Sequence, residues 1–160
     1  MRIKSEKEKV GRQMETAFVV EKTIELEESI ASIISQYFHS NDIDKNIVFR
    51  NIVLNNAIIS LSSKIKLYRH INSIENDWPT PNIALFQKVM NIRNTFAHSS
   101  TSRVYILNED KEIIDKHLSL KSVSGSGALK RSKRSDLLIE FEDAFREIKR
   151  HLHEINKIQK

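Results

Sequence analysis

Apolar residues recur at helical spacing over most of the first forty positions. The recurrence predicts one long helix over residues 5–40, with Gly11 as a candidate break near its start. From Leu26 onward the apolar arc is wide, as is typical of a central helix that touches two neighbours. Two adjacent stripes carry this pattern: Ala17, Val20, Ile24, Ala31, Ile34 and Phe38, and beside them Leu26, Ile30, Ile33 and Tyr37.

Three further segments are predicted to be helical. The second covers residues 46–76, although its early part, NIVFRNIVLNNA, is too rich in β-branched residues and asparagine to assign. After NDWPTP, Thr80 as N-cap and Pro81 in the first helical position predict a third helix over 81–98. Ser135 is predicted to cap the last helix. Its apolar residues alternate steps of three and four: Leu138, Phe141, Phe145, Ile148, Leu152 and Ile155.

The segment 99–134 departs from this helical pattern. VYIL and HLSL predict two short strands joined by a turn at NEDK, and SVSGSGALKRSKR predicts a flexible basic loop. We therefore predict a single domain over 1–160 with an irregular or β-like insertion at 99–134. The predicted fold class is all-α, a bundle of four to five helices with a small β-hairpin-like insertion before the last helix.

Composition and charge narrow the possible settings. The chain has no cysteine, which excludes disulfide and thiolate-metal frameworks and is typical of a reducing compartment. Its longest uncharged runs are 13 residues, shorter than the ~20 that span a bilayer, and MRIKSEKEKV lacks an apolar signal core. We expect a cytoplasmic protein without a membrane partner.

A formal net charge of +5 permits a polyanionic partner such as RNA. Four basic residues within five positions are candidate contacts for RNA phosphates. The alternative interpretation of this run is a solvated, flexible loop. The four candidates are Lys130, Arg131, Lys133 and Arg134.

The stretch NIRNTFAHSS, residues 91–100, contains the strongest candidate chemistry. On a helix, Arg93 and the pair Asn94 and His98 flank a small second apolar stripe, away from the core stripe of the same helix. We expect this second stripe to be an intermolecular contact or a contact with another helix of the chain. The core stripe is Leu85, Val89, Ile92 and Phe96, and the second stripe is Phe86, Met90 and Ala97.

The residue types of this trio suit phosphodiester chemistry. A guanidinium pairs its donors with phosphate oxygens, an imidazole transfers protons near neutral pH, and an amide can orient either group. RNA supplies its own nucleophile through the 2′-hydroxyl, so the predicted reaction uses no cofactor and no metal. The candidate catalytic residues are Arg93 and His98, with Asn94 in support. His151 and His153 are about 200° apart on a helix, and we interpret them as surface or partly buried residues rather than metal ligands.

The motif Arg93-Asn94-Thr95-Phe96-Ala97-His98 resembles that of the HEPN superfamily. LSSKIKLYRHI, IRNTFAHSS and SDLLIEFEDAFREIKRHL are similar to the branch that includes mannitol operon repressor-like proteins. The resemblance implies a homodimeric helical bundle acting as a metal-independent endoribonuclease, in which His98 transfers a proton and Arg93 stabilises the phosphate. It also implies a toxin–antitoxin or phage-defence setting, with an antitoxin or a nucleotidyltransferase as candidate partner. The alternative is a non-catalytic regulatory or protein-interaction module.

Overall fold

The computed structural model describes residues 2–39, 41–123 and 127–159, with side chains from residue 9 onward. Its helices and strands follow one another in the order α1, α2, a π-helical turn, α3, α4, β1, β2, β3 and α5. The bounds are α1 Arg2–His39, α2 Ile43–Val48, π-helical turn Phe49–Val53, α3 Leu61–Ile74, α4 Ile83–His98, β1 Thr101–Leu107, β2 Ile113–Val123, β3 Leu129–Lys133 and α5 Arg134–Ile158.

The predicted all-α class is wrong, because residues 101–133 contain a three-stranded antiparallel sheet in the order β1-β2-β3. The strands predicted at VYIL and HLSL are confirmed within β1 and β2, with Lys111 at a φ of 64° in the turn between them. The predicted flexible loop over 122–134 is wrong over Leu129–Lys133, which pairs with β2 from Val123↔Leu129 to Ser119↔Lys133. β2 explains this difference, because β1 pairs with only one of its edges. The other edge offers backbone hydrogen-bond partners to β3. The predicted loop is also wrong at its two ends, because Ser122 and Val123 belong to β2 and Arg134 begins α5. Residues 124–126 of the predicted loop lie outside the described residues.

Several predicted helix ends differ from the observed ones. α1 runs through Gly11 without a break, and a Cβ at that position would meet open space. α4 begins at Ile83, so Thr80 and Pro81 precede the helix and the predicted cap is wrong. α5 begins at Arg134, one residue before the predicted cap. The starts of α4 and α5 differ from the predicted ones by one or two residues, which is within the range over which helix ends fray.

The chain divides into two compact units, each with its own buried residues. The first comprises Met1–Glu21 and Lys88–Asp143 and contains the sheet. Phe18 and Phe141 pack edge to face within it, with ring centroids 6.4 Å apart. Its buried apolar residues include Val19, Val89, Ile92, Phe96, Leu120 and Phe141.

The second unit comprises Lys22–Gln87 and Ala144–Lys160. Residues from the stripe predicted in the last helix are buried here, which confirms the helical periodicity of that segment. Trp78 is also buried, with its ring 6.2 Å from that of Tyr37. The largest fully buried side chains include Leu26, Ile30, Ile33, Tyr68, Phe86, Ile148, Leu152 and Ile155.

Among the helices of the described ranges, none combines the length and the apolar character needed to cross a membrane.

Candidate functional site

Arg93, Asn94 and His98 lie in the last turns of α4, within the first compact unit. Asn94 and His98 are exposed and Arg93 is half-buried, while Ile92 and Phe96 are buried on the opposite side of the helix. Asn94 and His98 are four residues apart, so their side chains are neighbours on the helix surface. The folded chain therefore presents the amide and the imidazole together to solvent.

A hydrogen bond places the Arg93 head group on the same side as these two residues. Arg93 Nη1 donates to Asn94 Oδ1 over 3.0 Å. At ~100° per residue, the Cβ atoms of Arg93 and His98 are about 140° apart around the helix axis. The length of the arginine side chain bridges part of this angle, because its guanidinium reaches the Asn94 side. The guanidinium and the amide are thus in contact, and the imidazole of His98 lies about one helical turn beyond the amide.

The second apolar stripe is smaller than predicted. Phe86 is fully buried, and its ring lies 5.9 Å from that of Tyr68 in α3, so it belongs to the core of the second unit. For Phe86, the prediction of an intrachain helix contact is therefore the correct alternative. Only Met90, which is half-buried, and Ala97, which is exposed, remain beside the polar trio.

The four residues of the basic run have different environments. Arg134 is buried, and its guanidinium lies over the Phe96 ring at 4.5 Å from the centroid. Nη2 donates to Arg12 O at 2.7 Å and to Thr16 Oγ1 at 2.9 Å, and Nε pairs with the Glu15 carboxylate. Its donors are directed to protein partners, so Arg134 anchors the start of α5 and we leave it out of any RNA-contacting surface.

Lys130, Arg131 and Lys133 are exposed on β3. Side chains alternate between the two faces of a strand, so Arg131 and Lys133 share one face while Lys130 lies on the other. Their role as RNA contacts stays a prediction. The strand geometry divides the three residues into two groups that are not visible in the linear sequence.

Sequence reasoning missed a hydrogen-bonded pair in the second unit, formed by the buried Tyr68 and the half-buried His151. Tyr68 Oη and His151 Nε2 are 2.6 Å apart, and Tyr68 is fully buried. Burial raises the pKa of Tyr68, so the hydroxyl keeps its proton and donates it. Burial lowers the pKa of His151, and Glu154 opposes this shift. His151 lines a cavity of about 410 Å³ together with residues that include Thr80, Arg150 and Glu154.

A second missed feature is the buried pair of Lys64 and Glu27, which is bonded to the exposed Asn56 beside another cavity, of about 360 Å³. Lys64 Nζ donates to Glu27 Oε1 at 2.6 Å and to Asn56 Oδ1 at 2.8 Å. Asn56 Nδ2 donates to Glu27 Oε2 at 2.9 Å, which closes the ring of hydrogen bonds. Nothing in the sequence distinguishes Lys64 from the exposed lysines around it, because its partners lie 8 and 37 positions away.

No protein-family model matches the chain, and neither the curated proteins nor the solved structures contain a match. The resemblance to the HEPN superfamily therefore rests on the motif from Arg93 to His98 and the segments around it.

Proposed function

We propose that this protein is a metal-independent endoribonuclease of the HEPN type, with its site at Arg93, Asn94 and His98. The hydrogen bond from Arg93 Nη1 to Asn94 Oδ1 carries the proposal, because it joins the guanidinium to an exposed amide that is four residues before the exposed His98 on the same helix. The charge of the chain, +5, suits a polyanionic substrate.

In the proposed reaction, the ribose 2′-oxygen attacks the adjacent phosphorus, and the bond from phosphorus to the 5′-oxygen of the next nucleotide breaks. His98 transfers a proton between the reacting oxygens, and the Arg93 guanidinium stabilises the charge that develops on the phosphoryl oxygens. Asn94 acts as a positioning residue by holding the guanidinium. The products carry a 2′,3′-cyclic phosphate and a free 5′-hydroxyl.

The decisive experiment is incubation of the purified chain with mixed RNA in EDTA, followed by analysis of the product ends. We expect cyclic-phosphate ends from the wild type, and a loss of about 10²–10⁴-fold in rate for His98→Ala. Arg93→Ala is expected to lose about 10²–10³-fold. His153→Ala is the matched control, because His153 is an exposed helical histidine in the other unit. Absence of cleavage, or equal rates in wild type and His98→Ala, overturns the proposal.

The proposal includes a homodimer with composite sites, as the family resemblance implies. Arg93→Ala and His98→Ala are each inactive in this scheme, but a mixed dimer contains one site with both intact residues. Mixing the two inactive proteins is therefore expected to restore cleavage. A mixed dimer that stays inactive contradicts the composite site and leaves the single-chain trio as the reacting group.

An exposed apolar surface favours a second candidate function, a non-catalytic protein-interaction module. Four aliphatic side chains of α2 and the π-helical turn are more than half exposed: Ile43, Ile47, Val48 and Ile52. A cluster of this kind is typical of a surface that another protein covers. Here we take the partner to be a second copy of the chain.

Sedimentation analysis separates the two candidates. Ile47→Glu is expected to abolish self-association if the second candidate is correct, and to leave it unchanged if the first is correct. Ile139→Glu, at an isoleucine of α5 in the other unit that is also more than half exposed, is the control. Loss of self-association together with silence in the RNA assay supports the interaction module.

A further inference from the structure

The cross-strand register brings together three cations that are not contiguous in sequence. Lys121 of β2 is the direct Cα partner of Arg131 of β3, and Lys133 is the partner of Ser119. Directly paired residues, and residues two apart on a strand, point to the same face of a sheet. Lys121, Arg131 and Lys133 therefore share one face, which we call the Ser119 face.

This arrangement has an electrostatic cost in the chain alone. Like charges directly opposite each other on two strands repel and destabilise the pair. Among the described residues, no carboxylate forms an ion pair with any of the three. Asp115 is on the same face, but it is four residues along β2 from Ser119, the partner of Lys133, or about 13 Å, and six residues from Lys121, or about 20 Å. An anionic partner would relieve the repulsion.

We infer that Lys121, Arg131 and Lys133 form a phosphate-binding strip that holds single-stranded RNA on the Ser119 face. The Lys121–Arg131 pair spans two strands, and Lys133 lies about 7 Å from Arg131 along β3, so the three cations form a continuous track for a sugar–phosphate chain. The strip belongs to the same compact unit as Arg93 and His98. The identity of the polyanion as RNA rests on the proposed function.

The next cross-strand pair on this face is Val123 and Leu129, and both side chains are exposed. A single aliphatic pair suits contact with ribose or base surfaces. Ile106 is also exposed on this face, but it lies opposite the acidic Asp115, away from the cations. A bilayer surface would engage a wider apolar face beside the cations than the Val123–Leu129 pair provides. The neighbouring side chains therefore favour RNA over anionic lipid.

Lys130 is an internal control for this inference. It lies within the same basic run but on the opposite face, where its cross-strand partner is Ser122. If net charge alone determined RNA binding, substitutions of Lys130, Arg131 and Lys133 would weaken it equally. A strip defined by register distinguishes Lys130 from the other two and adds Lys121, ten positions away from Arg131.

The test measures binding in a His98→Ala background, so that the RNA stays intact. Fluorescence anisotropy follows a labelled single strand of about 20 nucleotides between about 50 and about 200 mM salt. Lys121→Glu and Arg131→Glu are each expected to weaken binding about tenfold at the lower salt concentration, and Lys130→Glu less than threefold, or about 0.6 kcal/mol. A plot of log K against log salt has a negative slope, and the neutral variant Lys121→Gln is expected to reduce the magnitude of that slope by about 0.7.

Equal weakening by Lys130→Glu and Arg131→Glu overturns the strip, as does absence of RNA binding by the parent protein. Binding of the parent to phosphatidylserine vesicles but not to RNA also overturns it. Circular dichroism checks that each variant is folded. If a charge-reversal variant unfolds, the salt dependence of binding by the neutral variant Lys121→Gln still tests the strip. Failure of the nuclease proposal gives a different result. In that case no cleavage depends on His98, but RNA binding is still weakened more by Arg131→Glu than by Lys130→Glu.

Discussion

The Lys64 ammonium and the Glu27 carboxylate meet at 2.6 Å, and both side chains are almost completely buried. Replacing the lysine alone leaves an uncompensated carboxylate in the interior, since Asn56 satisfies only part of its bonding capacity. Lys64→Met is therefore expected to lower the free energy of unfolding by about 3–5 kcal/mol. Urea denaturation measures the change.

The double variant Lys64→Met/Glu27→Gln is the control for this first prediction. It removes both charges, so we expect it to recover most of the stability lost in the single variant. If the double variant is as unstable as Lys64→Met alone, packing rather than the unpaired charge explains the loss.

Arg134→Lys is expected to destabilise the chain by about 2–4 kcal/mol although it preserves the charge. A lysine cannot reproduce the fork of donors that reaches Glu15, Thr16 and the Arg12 carbonyl, or the stacking on Phe96. Arg131→Lys, three positions earlier and exposed, is the matched control and should change stability by less than about 0.5 kcal/mol. Thermal or urea unfolding that gives the same small change for both variants contradicts the anchoring role of Arg134.

Stability should fall as the pH is lowered through the histidine range. Burial lowers the pKa of His151 in the folded chain below its ordinary value of 6.5, so the unfolded chain binds a proton first. The contribution of the neutral His151 to the free energy of unfolding is fully present above pH ~6.5. It is lost progressively as the pH falls through the lower pKa of the folded state. Urea denaturation at several pH values between about 8 and about 5 measures it.

The variant His151→Gln removes this titration and should flatten that part of the pH profile. His153→Gln, at an exposed histidine two positions away, should leave the profile unchanged. Identical pH profiles for wild type and His151→Gln would show that other groups cause the acid sensitivity.

Asn94→Leu tests the positioning role within the proposed nuclease. The substitution removes the acceptor for Arg93 Nη1 but leaves Arg93 and His98 in place. We expect a rate loss of about tenfold, smaller than that of Arg93→Ala, because the guanidinium is retained but less well held. Single-turnover cleavage assays distinguish the two variants, and Asn94→Asp, which keeps an acceptor oxygen, should lose less than Asn94→Leu.

The sequence alone predicted the features that depend on local periodicity. The apolar residues of α5 recur at helical spacing, and Ile148, Leu152 and Ile155 are buried. β1 and β2 were also identifiable, because each contains a short apolar segment beside a turn. The position of Arg93, Asn94 and His98 at the end of a helix followed from the same reasoning.

The remaining features depend on partners distant in sequence. β3 contains three basic residues, and its strand conformation follows from the second edge of β2 rather than from its own composition. Lys64 and Arg134 resemble surface residues in a linear reading, and their burial requires acceptors 37 and 119 positions away. The hydrogen bond between Arg93 and Asn94 joins neighbours, but side-chain conformation is not readable from residue types.

The bonds of Arg134 have a consequence for the strand that precedes it. A slip of β3 by one residue would turn Lys130 to the Ser119 face and take Arg131 and Lys133 away from it. The same slip would draw the Arg134 backbone about 3.3 Å along the strand, away from Glu15 and Thr16. The bonds of the buried Arg134 thus oppose a slip of β3 and stabilise the register in which Arg131 and Lys133, but not Lys130, lie on the Ser119 face.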